Sequence, residues 1–127
     1  RRFGMTKIEA TFCKRDDISP AIVYTPGEAT MAAEAGMDER TALLVDNQGT
    51  ADCGILVEAG DGLRRAVGPL HAAAPQGQRR AFVLDSMRFK KLEGERGCFV
   101  IKLCDPADPT KAFGGTAANV KFALLKL

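Results

Sequence analysis

Tryptophan is absent from this chain, and tyrosine and histidine each occur once. The seven phenylalanines are its only other aromatic residues. Sugar-binding platforms and grooves for single-stranded nucleic acid rely on exposed aromatic rings, so this shortage disfavours both kinds of site. The hydrophobic core must therefore consist mainly of Val, Ile, Leu, Ala and Phe.

Long apolar runs are also missing. No run approaches the roughly 20 residues that a membrane-spanning helix needs. The basic start, Arg1 and Arg2, is followed from Thr6 to Cys13 by alternating charged and apolar residues, and no apolar core of a signal peptide appears. We therefore expect no membrane partner.

The residue types that usually perform catalysis or bind metal are not clustered. His71 is the only imidazole, and no nucleophile motif lies beside it, so a catalytic triad is not expected. Cys98 and Cys104 lie on one predicted strand, roughly 20 Å apart, which is too far for a disulfide. No Cys-x-x-Cys pair occurs, and buried thiols in a reducing compartment are the simplest interpretation. We predict no catalytic residue, no metal and no cofactor.

Two further patterns are compatible with phosphate binding. The turn at 60–62 is Gly-Asp-Gly but lacks the Gly-Lys-Ser/Thr of a P-loop, so a β-turn is the better interpretation. The basic pairs at 64–65, 79–80 and 90–91 have only Phe82 and Phe89 nearby, and both look like core residues. The basic pairs therefore predict a solvated rim or a docking patch for an acidic partner, without direct nucleic-acid binding.

The hydrophobic pattern predicts an all-β fold. Apolar residues recur at every second position in several short segments, which is typical of half-buried strands, and turn signals separate these segments. Two segments, 41–47 and 80–85, are more continuously apolar, which predicts strands covered on both faces. We expect a single domain of residues 1–127, an antiparallel β-sandwich or barrel of about eight short strands. The predicted strands are Lys7–Cys13, Thr41–Asn47, Asp52–Glu58, Arg80–Asp85, Cys98–Cys104 and Asn119–Leu127, with Ala21–Thr25 and Leu70–Ala74 as weaker candidates.

Other segments depart from this pattern. Thr25, Pro26 and Glu28 form a capping-box arrangement before a run of Ala, Met and Glu, which predicts at most one short helix around 26–35. Residues 1–5 form a possible N-terminal arm, and residues 105–118 a long loop.

Charge is unevenly distributed along the chain. Residues 1–62 hold 6 Lys/Arg and 11 Asp/Glu, a net of −5, and residues 63–127 hold 12 and 5, a net of +7. If the two halves occupy different surfaces, the molecule suits head-to-tail contacts or an acidic partner. If the strands of the two halves interleave in one sandwich, their opposite net charges lie close together and neither surface is strongly charged.

The stretch from Asp38 to Leu103 resembles small phage and prophage proteins that coat the capsid exterior. The resemblance rests on an ordered series of turn glycines and apolar runs. These are Asp38-Glu39-Arg40, Leu43-Leu44-Val45-Asp46-Asn47-Gln48-Gly49, Val57-Glu58-Ala59-Gly60-Asp61-Gly62, Gly68-Pro69-Leu70, Pro75-Gln76-Gly77, Phe82-Val83-Leu84-Asp85-Ser86-Met87-Arg88-Phe89 and Gly97-Cys98-Phe99-Val100-Ile101.

This resemblance implies a β-sandwich or β-tulip-like domain without catalytic residues. Such a protein is made in the host cytoplasm, binds the major capsid protein on the capsid exterior, and is a homo-oligomer, with a trimer favoured. The residues expected to contact the capsid or other subunits are Arg1, Arg2, Phe3, Arg64 and Arg65. Two alternatives stay open: another virion component, such as a tail-tube or head-completion protein, and a ligand- or carbohydrate-binding β-sandwich module.

Overall fold

A computed structural model describes residues 5–35, 41–60, 65–84, 86–91 and 97–127. Within these ranges the chain forms ten strands and no helix longer than one turn, which confirms the predicted all-β fold. The strands are β1 (Thr6–Lys7), β2 (Ala10–Phe12), β3 (Thr25–Pro26), β4 (Thr30–Glu34), β5 (Thr41–Asn47), β6 (Cys53–Val57), β7 (Leu70–Ala74), β8 (Arg79–Leu84), β9 (Cys98–Cys104) and β10 (Val120–Lys126). The helical turns are α1 (Ser86–Phe89) and two 3-10 turns, Arg65–Val67 and Ala117–Asn119.

The described strands belong to two sheets that pack as a sandwich. Sheet I has the order β1-β4-β9-β6-β7, and sheet II has the order β2-β10-β5-β8, with β3 also paired to β10. The β1–β4 and β2–β10 pairs are parallel, and the other pairs are antiparallel. In the described part of the chain, no helix has the length and apolar character needed to cross a membrane.

One hydrophobic core lies between the sheets, because alternate residues of each strand face inward. In β9, Phe99, Ile101 and Leu103 belong to the core, and the ring of Phe99 makes an edge contact with Phe89 at a centroid distance of 6.5 Å. Their counterparts in β10 are Val120, Phe122 and Leu124. These are the inward sets that the alternation predicts.

The predicted strand Lys7–Cys13 is divided between the two sheets. Residues 6–7 pair with β4 in sheet I, and residues 10–12 pair with β10 in sheet II. Ile8 is buried at the crossing, where its amide donates to the main-chain oxygen of Ala32 at 2.9 Å. The alternation of Lys7–Cys13 places Phe12 on the same face as Ile8 and Ala10 and predicts that it is buried; this is wrong, because its side chain is 61% exposed, whereas Thr11 on the other face is buried.

The predicted helix around 26–35 is wrong, because this segment forms β3 and β4. Strand β4 pairs with β9 over its whole length, and Met31 and Ala33 enter the core. A helix of so few residues is marginal on its own, so the ladder and the burial override its intrinsic propensity. Gly27 also fits the strand arrangement: a Cβ at this position would lie 2.6 Å from the main-chain oxygen of Val120.

Strands β5 and β8 were both predicted to be covered on both faces. In β5 six of seven residues are buried, but β10 and β8 are its lateral neighbours and no described strand or helix covers its outer face, so the prediction is not confirmed. For β8 it is wrong, because β8 ends the order of sheet II and only Leu84 is buried among its six residues. Between β9 and β10, residues 105–119 contain one isolated bridge, from Ala112 to Cys104, and the second 3-10 turn.

Candidate functional site

The outer face of sheet I carries a network of charges. Glu58 lies between two ammonium groups, with Nζ of Lys102 at 2.6 Å and Nζ of Lys91 at 3.2 Å. Lys7 and Glu34 form a more exposed pair at 3.3 Å on the same face. Burial by itself raises the pKa of Glu58, but the hydrogen bonds from Lys102 and Lys91 prevail and hold that pKa below its ordinary value. Ala32, Val100 and Leu56 also turn outward on this face, and Ala32 and Val100 are buried, so its charged groups lie beside apolar residues.

On the outer face of sheet II the apolar residues are adjacent to one another. Since Leu43, Val45, Phe122 and Leu124 face the core, the residues that alternate with them turn outward. The outward residues come from the three neighbouring strands β8, β5 and β10, and the register places them side by side. We call this surface the apolar face; it consists of Ala42, Leu44, Ala81, Val83, Ala123 and Leu125.

The larger side chains of the apolar face remain accessible. Val83 is 68% exposed, and Leu44 and Leu125 are half-buried. Ala42 and Ala123 are buried between these larger side chains, so the middle of the apolar face is a shallow depression. A β-sandwich that stands alone usually places polar residues on its outer faces. An apolar outer face is therefore a candidate docking surface.

Polar groups limit this face at one end. Asp46 is buried, and one of its carboxylate oxygens accepts a hydrogen bond from Nε2 of Gln48 at 2.9 Å and lies 3.4 Å from Nε of Arg79. Lys121 pairs with Asp46 in the register of β10 and β5. The result is an apolar centre with a charged rim, as in protein–protein interfaces.

Beyond β10, on the side away from β5, the apolar face continues into residues 22–24. The side chain of Thr11 points outward from β2, and its Oγ1 accepts a hydrogen bond from the amide of Val23 at 3.3 Å. Ile22, Val23 and Tyr24 are 44%, 43% and 39% exposed. Of the predicted strand Ala21–Thr25, only Thr25 pairs with β10.

His71 lies near two acidic residues, but their contacts are structural. Its Nε2 is 3.3 Å from the main-chain oxygen of Asp105. The Asp105 carboxylate accepts from two amides of its own loop, and Thr110 donates to Asp108 through its hydroxyl and its amide, which lowers the pKa of Asp108. These contacts shape the loop after β9, as is usual for Asp in turns. Within the described ranges, no group of three or more His, Cys, Asp and Glu residues is arranged to hold a metal ion.

The thiols near this loop are poor nucleophiles. Burial raises the pKa of Cys53 to about 12, and it also raises the pKa of Cys104, with a further contribution from Asp105 and Asp108. The reactive and metal-binding form of cysteine is the thiolate, which these sites disfavour. None of the four cysteines, all of which lie in the described ranges, forms a disulfide, and Cys53, Cys98 and Cys104 are buried, so the interpretation as buried thiols is confirmed for these three.

The contacts predicted from sequence lie largely outside the described residues. Outside the described residues lie Arg1, Arg2, Phe3, Arg64 and most of the 1–5 arm. Arg65 is the first residue of the first 3-10 turn. Arg88 donates to the main-chain oxygens of the two residues that follow this turn, at 3.0 Å each. The predicted contacts fall in two regions, residues 1–3 and residues 64–65. The nearest described strands along the chain are β1 and β7, which lie at opposite edges of sheet I.

The apolar face was missed at the sequence level, although a signal for it exists. Strands β5 and β10 contain consecutive apolar residues, Ala42–Val45 and Phe122–Leu125, where a strand with one solvated face would alternate. No protein-family model, curated protein or solved structure matches the chain. A functional proposal therefore depends on the geometry of this face.

Proposed function

We propose that this protein is a non-enzymatic structural component of a phage particle that decorates the capsid and stabilises it by binding its outer surface. The apolar face of sheet II is the observation that supports docking, and the resemblance of residues 38–103 to capsid-coating proteins supports the choice of partner. Its partner is the major capsid protein, and the charged outer face of sheet I points to solvent on the capsid exterior. The decorating unit is a homo-oligomer, with a trimer favoured.

The physical basis is the burial of a small apolar area repeated many times. Leu44, Leu125 and Val83 offer limited area, and apolar burial contributes about 25 cal/mol per Å². A single contact of this size is weak. A symmetric oligomer on a repeating shell makes the same contact several times, and multivalency converts weak contacts into firm attachment. The rim of Asp46, Arg79 and Lys121 then fixes the orientation by charge.

Co-sedimentation with capsid shells tests this proposal. Shells assembled from the major capsid protein of the same genome are mixed with the purified protein and pelleted, and the bound fraction is measured. We expect wild-type protein to pellet at a copy number that matches the shell lattice. A double variant, Leu44→Gln with Leu125→Gln, should bind about tenfold more weakly or worse, because it removes apolar area from the docking surface.

A matched control comes from the other sheet. Leu56 is half-buried and turns outward from β6 on sheet I, so Leu56→Gln makes the same chemical change on the charged face. This variant should pellet like wild type. Failure of the wild-type protein to associate with shells would overturn capsid decoration. Equal binding by wild type and the double variant would exclude the apolar face as the docking surface.

A further inference from the structure

The sandwich has two lateral edges of different character. Strands β1 and β2 have two and three residues, and the two residues between them bring both to the same edge. Strands β7 and β8 have five and six residues and lie together at the other edge, because only residues 75–78 join them. Short edge strands protect a sheet against pairing with another molecule. The β7–β8 edge lacks this protection.

Strand β8 offers a free edge for pairing. In the described part of sheet II, β5 lies along one side of β8 and no strand lies along the other. Its second half, Ala81–Leu84, contains neither charge nor proline, and the exposed Val83 lies within it. An edge of this kind is a template for an added strand.

At the β1–β2 edge lies a strand-like sequence that pairs with no strand in the described part of the chain. Pro20 is followed by Ala-Ile-Val-Tyr, and Ile, Val and Tyr favour strands. Residues 20–24 make no backbone–backbone hydrogen bond with another described residue. Among the described residues, the amide of Val23 donates to the side-chain hydroxyl of Thr11. This segment can therefore form backbone hydrogen bonds with a strand edge of another molecule without first breaking such bonds within its own chain.

The two edges also carry opposite charge. Residues 6–28 contain four acids and three bases, a net of −1, and residues 70–84 contain two arginines and no acid, a net of +2. Most strands of the two chain halves interleave, but β1, β2 and β3 stay at one edge and β7 and β8 at the other. The edge formed by the first three strands is therefore negatively charged, and the edge formed by β7 and β8 is positively charged. Opposite charge favours contact between unlike edges over contact between two β8 edges.

We infer that copies of this chain associate head to tail, with segment 20–24 of one copy adding as a strand to the free edge of β8 in the next. The contact is heterologous, so it closes into a ring or continues as an open chain. The occupant of the β8 edge is a second copy of this chain. The inference concerns the purified protein alone and does not depend on capsid binding.

Two single variants that each block one partner surface test this arrangement. Ile22→Lys alters the segment, and Val83→Asp places a carboxylate on the β8 edge, where it repels the acidic edge of the next copy; both side chains are largely accessible, so the fold should be retained. Val67→Lys is the matched control, because Val67 is 52% exposed in the first 3-10 turn. Sedimentation velocity at low ionic strength measures the mass of each sample.

We expect the wild type and Val67→Lys to sediment as oligomers, and each blocked variant as a single chain of 13.6 kDa. An equimolar mixture of the two blocked variants should give a species of twice that mass, because one intact segment meets one intact β8 edge. Pairing between two β8 edges predicts instead that Ile22→Lys still forms a dimer. That result, a monomeric wild type, or a mixture that stays monomeric would each overturn the inference.

Hydrogen exchange on the wild type gives a second readout that needs no substitution. The amides of residues 21–24 and of β8 should gain protection together as the protein concentration rises. Protection of β8 alone, or of neither segment, contradicts the head-to-tail contact.

Discussion

The side-chain amide of Asn47 donates to the main-chain oxygen of Ala74 at 2.7 Å, and this bond joins the end of β5 in sheet II to the end of β7 in sheet I. The same amide donates to the oxygen of Ala51 at 2.9 Å, and its own oxygen accepts from the amide of Gly49 at 3.0 Å. Asn47 is fully buried, so one side chain satisfies three main-chain groups where two turns meet.

We predict that Asn47→Ala lowers the free energy of unfolding by about 3 kcal/mol, because it leaves buried main-chain groups without partners. Urea denaturation followed by circular dichroism measures the change. Asn119→Ala is the control, since Asn119 is exposed and its described hydrogen bonds involve the main chain only. Equal stability of the two variants would show that the buried amide contributes little.

Glu58 makes a pH-dependent contribution to stability. Its pKa in the folded protein is lowered, so the contribution is fully present above the unfolded value of about 4.3 and is lost as the pH falls through the folded pKa. We predict that Glu58→Gln lowers the free energy of unfolding by roughly 1 kcal/mol at pH 7. The difference between variant and wild type should shrink in urea titrations performed below the unfolded pKa.

A second glutamate provides the comparison. Glu34 and Lys7 form an ion pair whose side chains are 68% and 60% exposed, so Glu34→Gln should change stability little at any pH. A Glu58→Gln effect that stays constant from neutral to acidic pH would contradict the assigned role of the carboxylate.

The cysteines should differ in reactivity because they differ in accessibility. Cys13 is half-buried, whereas Cys53 is buried in the core with its pKa raised to about 12. We predict that a thiol reagent at mild alkaline pH modifies one cysteine quickly in the native protein and all four after unfolding in urea. Cys13→Ser should abolish the fast phase, and a fast phase that survives this substitution would contradict the burial of the other three.

Strands with partial alternation could be predicted from the sequence. Strand β9 lies between Gly97 and Asp105-Pro106, and in β10 Lys121 separates the core positions Val120 and Phe122, so both segments were assigned correctly. The helix around 26–35 failed because β4 gains its stability from pairing with β9 and from burying Met31. Neither of these long-range contacts is visible in the local capping signal.

The apolar face could not be predicted for a related reason. A run such as Ala42–Val45 is compatible with a strand buried in the middle of a protein or with one whose outer face binds another molecule. Only the sheet order decides between them, because it shows that no described strand or helix forms a layer over Leu44 and Val83. The edge position of β8 likewise depends on pairings between distant segments.

Gly54 provides the strictest test of the packing between β6 and the loop after β9. A Cβ at this position would lie 2.5 Å from the main-chain oxygen of Asp105 and 2.8 Å from Sγ of Cys104. We predict that Gly54→Ala lowers the free energy of unfolding by about 2 to 3 kcal/mol, because the main-chain oxygen cannot move away as a flexible side chain would. Gly114→Ala is the matched control, since a Cβ there meets nothing within 4 Å.

Combining Gly54→Ala with Cys104→Ala separates the two clashes. Removal of the sulfur relieves one of them, so the double variant should be more stable than the sum of the single effects predicts. The clash with the Asp105 oxygen remains, so wild-type stability should not return. Full recovery in the double variant would assign the whole cost to the sulfur, and additive effects would show that Cys104 does not contact the new methyl group.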